Sequence, residues 1–528
     1  MRISRRAVGL ALVSGGLLLA SVVPSPSMAA GGVANSAIVH TDAGWVRGTS
    51  EQGYRLYQGI PYAAPPVGDL RWRSPLPAAA WDGVRDAAEP GNRCPQAASV
   101  VGDPASDTED CLYLNVTVPR AARHAPVLVW LHGGSLMTGA GSDYDAHRLA
   151  MRGDLVVVTV NYRLGNLGFF DYPGLENGGA FGIEDQQAAL RWVQRNAAAF
   201  GGDPGNVTLA GESAGAHSVC THLASPGSAG LFQRAIEQST PCTAELPADA
   251  PFRPLLDVPH YVPPEWHDGH GQAVATQVGC TDPATALSCL RAAPVPALRA
   301  ADPLPLPGYG NTVLPENPHD VFAAGRFNQV PILTGVTRDE GTLFGPMLFP
   351  GLTPDQYAST VDARFGLSGP AVAARYPLSE HGGSAVQAMA AIVTDLDWAW
   401  PQHKTENLFA ARVATYAYEF LDRTAPKIPE FPSGVEPLAS HGADLSYLFA
   451  FSDLTKEQRA LGDQMIDYWS TFAATGDPNR RGLPAWQPVD PTAATPYVQG
   501  LDLGSGGVGP FDRTTAHNFD FWHTLAES

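Results

Sequence analysis

A serine set between small residues, Gly211-Glu212-Ser213-Ala214-Gly215, follows the apolar run Val207-Thr208-Leu209-Ala210 and precedes a stretch of small helix formers. Strand, sharp turn and helix in that order raise the serine above a sheet, and glycines on either side leave room where a side chain would clash. The free amides at the start of the helix then face any oxygen that becomes negative beside Ser213. A serine hydroxyl is a weak nucleophile near neutral pH, so it needs a base within hydrogen-bond reach and a carboxylate that fixes the base's tautomer. Gly335-Val336-Thr337-Arg338-Asp339-Glu340-Gly341 follows an apolar strand and puts Glu340, with Asp339 as a rival beside it, at the strand's carboxyl end, where such sheets bind ligands. Pro437-Leu438-Ala439-Ser440-His441-Gly442-Ala443-Asp444 puts His441, one of 15 histidines, in a loop further on. His132-Gly133-Gly134-Ser135, just past the apolar run ending at Leu131, offers backbone amides for a tetrahedral oxyanion. Each segment alone has an ordinary explanation as a turn, a surface acid or a loop histidine. Their order, serine then acid then histidine, points to acyl transfer through a covalent serine intermediate.

Those residues need a framework that brings chain segments far apart in sequence to one edge. Pro126–Leu131 and Leu155–Asn161 are continuous apolar runs, the pattern of strands buried on both faces. Ile38–Val46, Tyr54–Gln58, Leu112–Val116, Ala235–Ser239, Val330–Gly335 and Ala414–Leu421 read as further strands. Between them Ala189, Val193, Ala197 and Phe200 recur at helical spacing until Gly201-Gly202-Asp203-Pro204 stops the helix. Alternating strands and helices predict an α/β architecture, a mostly parallel central sheet covered on both sides. Leu246–Asn317 and Thr353–Pro401 break this rhythm and are expected as loop and helix insertions that wall the site.

The 528 residues, 44% hydrophobic and 16% charged, can bury a large core. The 55 glycines and 47 prolines imply many ordered turns. A net charge of −19 without a basic stretch argues against a nucleic-acid partner. Residues 1–30 have a basic start, Met1-Arg2-Ile3-Ser4-Arg5-Arg6, an apolar middle from Ala7 to Val23, and small residues at Met28-Ala29-Ala30. That is the pattern of a signal peptide cut after Ala29 or Ala30, which implies export without a retained membrane anchor. Arg5-Arg6 is compatible with twin-arginine export as well as the ordinary route. Six cysteines suit an oxidising compartment. Cys94 with Cys111, and Cys280 with Cys289, bracket short loops and look like local staples; Cys220 and Cys242 either pair or stay as buried thiols. No cysteine or histidine spacing suggests a metal, and the serine chemistry requires no cofactor.

Several motifs in order resemble the type B carboxylesterase and lipase family, which includes the cholinesterases. Glu109-Asp110-Cys111-Leu112-Tyr113-Leu114-Asn115-Val116 is similar to one family signature, and Phe200-Gly201-Gly202-Asp203-Pro204 through Gly211-Glu212-Ser213-Ala214-Gly215 to the other. Tyr57-Gln58-Gly59-Ile60-Pro61-Tyr62-Ala63, Asn161-Tyr162-Arg163-Leu164-Gly165 and Trp469-Ser470-Thr471-Phe472-Ala473-Ala474-Thr475-Gly476-Asp477-Pro478-Asn479 extend the likeness from about Ile38 to the C-terminus. The resemblance implies an α/β-hydrolase fold, one catalytic domain over residues 31–528, and hydrolysis of small carboxylic esters by a secreted serine enzyme. It implies Ser213 as nucleophile, Glu340 rather than Asp339 as acid, His441 as base, oxyanion amides from Gly134, Ser135 and Ala214, disulfides Cys94–Cys111 and Cys280–Cys289, and Phe344 as a pocket aromatic.

Three departures qualify that expectation. Ser135 stands where many relatives have a third glycine, and Asp444 where a glutamate is usual. The stretch from Cys94 to Cys111 has no tryptophan, so a cation–π site for a quaternary ammonium is not expected there. A lipase for longer acyl chains and a non-catalytic adhesion protein of the same fold are the rival functions.

Overall fold

The computed structural model describes residues 37–99, 104–243, 255–256, 259–301, 306–428 and 431–526, and the expected signal peptide lies outside them. Two sheets are present among the described residues. Ile38–Thr41 (β1), Gly44–Arg47 (β2) and Val84–Asp86 (β5) make a small one at the start of the chain. The stretch Ile38–Val46, expected as strand, is an antiparallel hairpin of this separate sheet, turning at Asp42-Ala43.

The large sheet has eleven strands in the order β3-β4-β6-β8-β7-β9-β10-β11-β12-β13-β14. They are Thr49–Ser50 (β3), Tyr54–Pro61 (β4), Tyr113–Pro119 (β6), Ala125–Leu131 (β7), Val156–Val160 (β8), Gly202–Glu212 (β9), Arg234–Gln238 (β10), Ile332–Thr337 (β11), Thr415–Phe420 (β12), Gln499–Leu501 (β13) and Val508–Pro510 (β14). Pairing is parallel from β8 through β13 and antiparallel at both ends. The carboxyl ends of β7, β9, β10, β11 and β12 therefore share one edge.

Side chains that alternate along β7 enter different cores, because successive strand residues point to opposite faces. Val127, Val129 and Leu131 join a core with Ile183, Leu190 and Val193 of the helix Phe181–Asn196 and with Val219 and Leu223 of the helix Ala214–Ala224. Leu128 and Trp130 join a second core with Leu461, Met465, Trp469 and Phe472 of the helix Lys456–Thr475. Helices on both faces are what continuous apolar strands demand. The segments after β11 build a third cluster from Val361, Met389, Ile392 and Trp398.

Disulfides join Cys94 to Cys111, Cys280 to Cys289 and Cys220 to Cys242. The last pair ties the helix after β9 to the segment after β10, a link that the spacing of the two cysteines could not decide.

Two glycines set how close the elements come. A Cβ on Gly215 would lie 2.0 Å from the Leu131 carbonyl oxygen, and one on Gly211 2.4 Å from the Gly215 carbonyl carbon, so the helix after β9 presses directly on β7. A methyl group there has only backbone to displace. Gly215→Ala is expected to destabilise the protein by about 3 kcal/mol or more in chemical denaturation, the range of severe core disruption. Gly509→Ala, where nothing lies within 4 Å, should change stability by less than about 0.5 kcal/mol.

Candidate active site

β9 ends at Glu212, and Ser213 then takes φ 55° and ψ −125° before the helix Ala214–Ala224 begins. A non-glycine residue in that region costs on the order of 1–3 kcal/mol and persists only where its surroundings over-determine it. Here they do. The Ser213 N–H donates to Gln238 O at 2.9 Å and the Ser213 carbonyl accepts from Thr240 Oγ1 at 2.7 Å. Glu237 Oε1 in turn accepts the Thr240 N–H at 2.8 Å, so the end of β10 holds the turn at the end of β9.

The segment after β7 closes against that turn. A Cβ on Gly133 would be 2.9 Å from Glu212 Oε2 and 3.2 Å from Ser213 Cβ. Gly134 has φ 102°, and Ser135 and Leu136 also have positive φ. The Gly134 carbonyl is consumed by the N–H groups of Met137 and Thr138 at 2.9 and 3.0 Å, whereas the Gly134 and Ser135 N–H groups make no hydrogen bond among the described residues. Ala214 is the first residue of its helix, so its N–H has no acceptor within the helix either. His132 is locked beneath by stacking on Tyr162, ring centroids 4.3 Å apart, and by Tyr162 Oη donating to its carbonyl at 2.6 Å.

His441 is buried between two carboxylates. Its Nδ1 lies 2.6 Å from Glu340 Oε2, and Glu340 Oε1 accepts the Thr337 N–H at 2.8 Å, which aims the acid from the end of β11. Its Nε2 lies 3.3 Å from Glu212 Oε1 and makes no hydrogen bond among the described residues. Ser213 Oγ makes none among the described residues. Burial works against charge on His441, but the carboxylates of Glu212 and Glu340 outweigh it and raise the imidazole above the ordinary histidine range. Burial also raises Glu212, partly offset by His441. Asp444 is pushed up to about 6, by burial first and by Glu340 second. It accepts hydrogen bonds from Gln238 Nε2 and Tyr418 Oη at 2.9 and 3.0 Å.

Asp339, the rival acid, does not reach His441. It pairs with Arg423 through two bonds of 2.8 and 2.7 Å. Phe344 packs edge-on against His441, centroids 5.0 Å apart, and is stacked on Trp398 at 5.4 Å; Trp398 itself meets His441 at 4.9 Å. Trp398, in a π-helical turn over Thr394–Ala399, and Glu212 are site residues that sequence reasoning missed. Glu212 was in view inside Gly211-Glu212-Ser213, and only its distance to His441 marks it out. Trp398 carries no sequence signal of its own. The arrangement can take a proton from Ser213, hold the resulting imidazolium against Glu340, and offer amides to an oxyanion.

A family model described as the carboxylesterase family matches residues 35–522. Para-nitrobenzyl esterase of Bacillus subtilis (strain 168) is 35% identical over 482 residues, covering 84% of this chain and 91% of that protein. Cocaine esterase of Oryctolagus cuniculus is 34% identical over 543 residues, covering 93% and 96%, and phenmedipham hydrolase of Pseudarthrobacter oxydans 34% over 492 residues, covering 85% and 92%. The solved structure of a PNB esterase aligns with a TM-score of 0.73 at 31% identity, covering 93% of this chain and all of that one. With that match along the chain and this α/β architecture, the protein belongs to the carboxylesterase family and is an α/β hydrolase that cleaves carboxylic esters.

Proposed function

We propose that Ser213, His441 and Glu340 are the nucleophile, base and acid of this esterase, and that the N–H groups of Gly134, Ser135 and Ala214 form its oxyanion hole. The observation that carries this reading is His441, held through Nδ1 by Glu340 with Nε2 left unbonded, on the same sheet edge as the strained turn at Ser213. Ser213 Oγ attacks the ester carbonyl carbon as His441 Nε2 takes its proton, and the carbonyl π pair moves onto oxygen toward the three amides. The intermediate collapses, the C–O bond to the alcohol breaks, and His441 returns the proton to the leaving oxygen. Water then attacks the acyl-enzyme, again losing a proton to His441, and the carboxylic acid leaves as Ser213 is restored. Glu340 keeps the imidazole in the productive tautomer throughout.

Residues 1–30 act in this reading as a cleaved export signal, and residues 31–528 as one catalytic domain working outside the cytoplasm. Three disulfides support an oxidising location, and no helix among the described residues is long and apolar enough to cross a membrane. The aromatic faces of Phe344 and Trp398 beside His441 favour esters with an aromatic part, in keeping with relatives named for para-nitrobenzyl esters, cocaine and phenmedipham.

Ser213→Ala is expected to lower kcat on para-nitrophenyl acetate by at least about 10³-fold, since loss of a triad member leaves only oxyanion and binding contributions. Unchanged turnover in the purified variant would contradict the assignment. A protonated base is inactive, so a raised His441 pKa puts the acid limb of kcat/KM above about pH 6.5, with activity falling as pH drops through it. Glu212→Gln removes one of the charges that hold the proton and should move that limb down by about one pH unit. A limb that stays put or rises in a pH–rate profile would remove Glu212 from the account.

A further inference from the structure

Glu340 and His441 are brought together by two loops, and the contacts that join those loops mostly involve neither side chain. The His441 loop meets the turn after β11 at three backbone or short side-chain bonds. The Asp339 N–H donates to Ala439 O at 2.9 Å, and the Ala439 N–H donates back to Asp339 Oδ2 at 3.2 Å. Thr342 Oγ1 lies 2.7 Å from Pro437 O, across to the His441 loop, and 2.8 Å from Asp339 O within its own turn, its one proton shared between them. Between these contacts Leu438 has φ 54°, a left-handed conformation unfavourable for a bulky residue, so the loop needs external restraint to keep its path.

We infer that Asp339, held by Arg423, is a positioning residue for His441: its carboxylate and backbone clamp the loop at Ala439, two residues before the base. The inference rests on reading His441 as that base. Asp339 is nearly buried and accepts both arms of Arg423, whose side chain is 52% exposed and projects from the chain just after β12. A charge-assisted fork of this kind fixes the plane of the carboxylate, and hence the direction in which its second lone pair meets the Ala439 N–H. Without it, Leu438 is free to relax, and a shift of about 1 Å in a catalytic group is enough to cost on the order of 100-fold in rate. The carboxylate therefore acts through the backbone of the loop and never touches substrate.

The clamp also predicts an electrostatic signature. The charged groups facing His441 are Glu212 at the end of β9, Glu340 after β11 and Asp444 before the helix Leu445–Leu448; Phe344 and Trp398 add apolar faces only. Loosening the loop weakens the contact with Glu340 first, because that hydrogen bond spans the two clamped loops. The imidazole then loses part of what holds its proton.

The test is the pH dependence of kcat and KM on para-nitrophenyl acetate for Arg423→Ala, Arg423→Lys and Asp339→Ala in the full secreted chain. Arg423→Ala removes an exposed side chain and leaves the core intact. It should lower kcat about 10-fold with KM within about twofold, and move the acid limb down by about half a pH unit. Asp339→Ala should do the same to a greater extent, and Arg423→Lys should recover part of the kcat. The inference is overturned if Arg423→Ala leaves kcat and the acid limb unchanged, or if kcat falls only in proportion to unfolded protein while the limb stays fixed. Turnover persisting in Ser213→Ala would overturn the underlying site assignment instead, so the two failures are distinguishable.

Discussion

The left-handed backbone at Ser213 is the constraint from which the rest of the site follows. A serine in that conformation cannot continue β9 or begin a relaxed helix, so it stands at the sheet edge, its hydroxyl without a hydrogen bond among the described residues. The strain is tolerated because β10 grips the turn on both sides, through Gln238 and Thr240, and because Gly211 and Gly215 let the next helix press against β7. The same close approach carries the segment after β7 against Ser213, which is where Gly133 meets Glu212 and the Ser213 Cβ. One backbone conformation thereby couples three parallel strands to the position of a single oxygen.

Around that oxygen the charge arrangement favours an imidazolium. His441 lies between Glu340 and Glu212, with Asp444 close behind, in a site where water is scarce and charge is poorly screened. In the proposed mechanism the imidazole takes up a proton in both halves of the reaction, so two flanking carboxylates would stabilise the state in which charge has developed. They also hold the resting proton more tightly, and the balance between these effects sets the working pH. Glu212 is the adjustable element: it is itself raised by burial, so its charge depends on the same proton that His441 carries.

Much of this was legible in the chain because the chemistry needs unusual residues in fixed relation to strands. Ser213 with its glycines, Glu340 after an apolar strand and His441 in a later loop are each tied to an element that hydrophobic patterning reveals. The strands β13 and β14 were not legible, since Gln499-Gly500-Leu501 and Val508-Gly509-Pro510 are too short to show a period. The hairpin of β1 and β2 reads as strand from its composition, but nothing in four-residue strands says which sheet they join. Pairings across long separations stay hidden for a different reason. The bond between Cys220 and Cys242, the pairing of Asp339 with Arg423, and the packing of Trp398 on His441 exist only once the sheet has aligned the loops.

The account stands on the claim that Ser213 is the oxygen made nucleophilic by His441. Peptide-mapped mass spectrometry after reaction with a fluorophosphonate probe tests that claim without any choice of ester substrate. The account predicts one adduct per chain, on the peptide containing Ser213, and its loss in His441→Ala. An adduct on another residue, or an active protein that takes up no probe at Ser213, would contradict it.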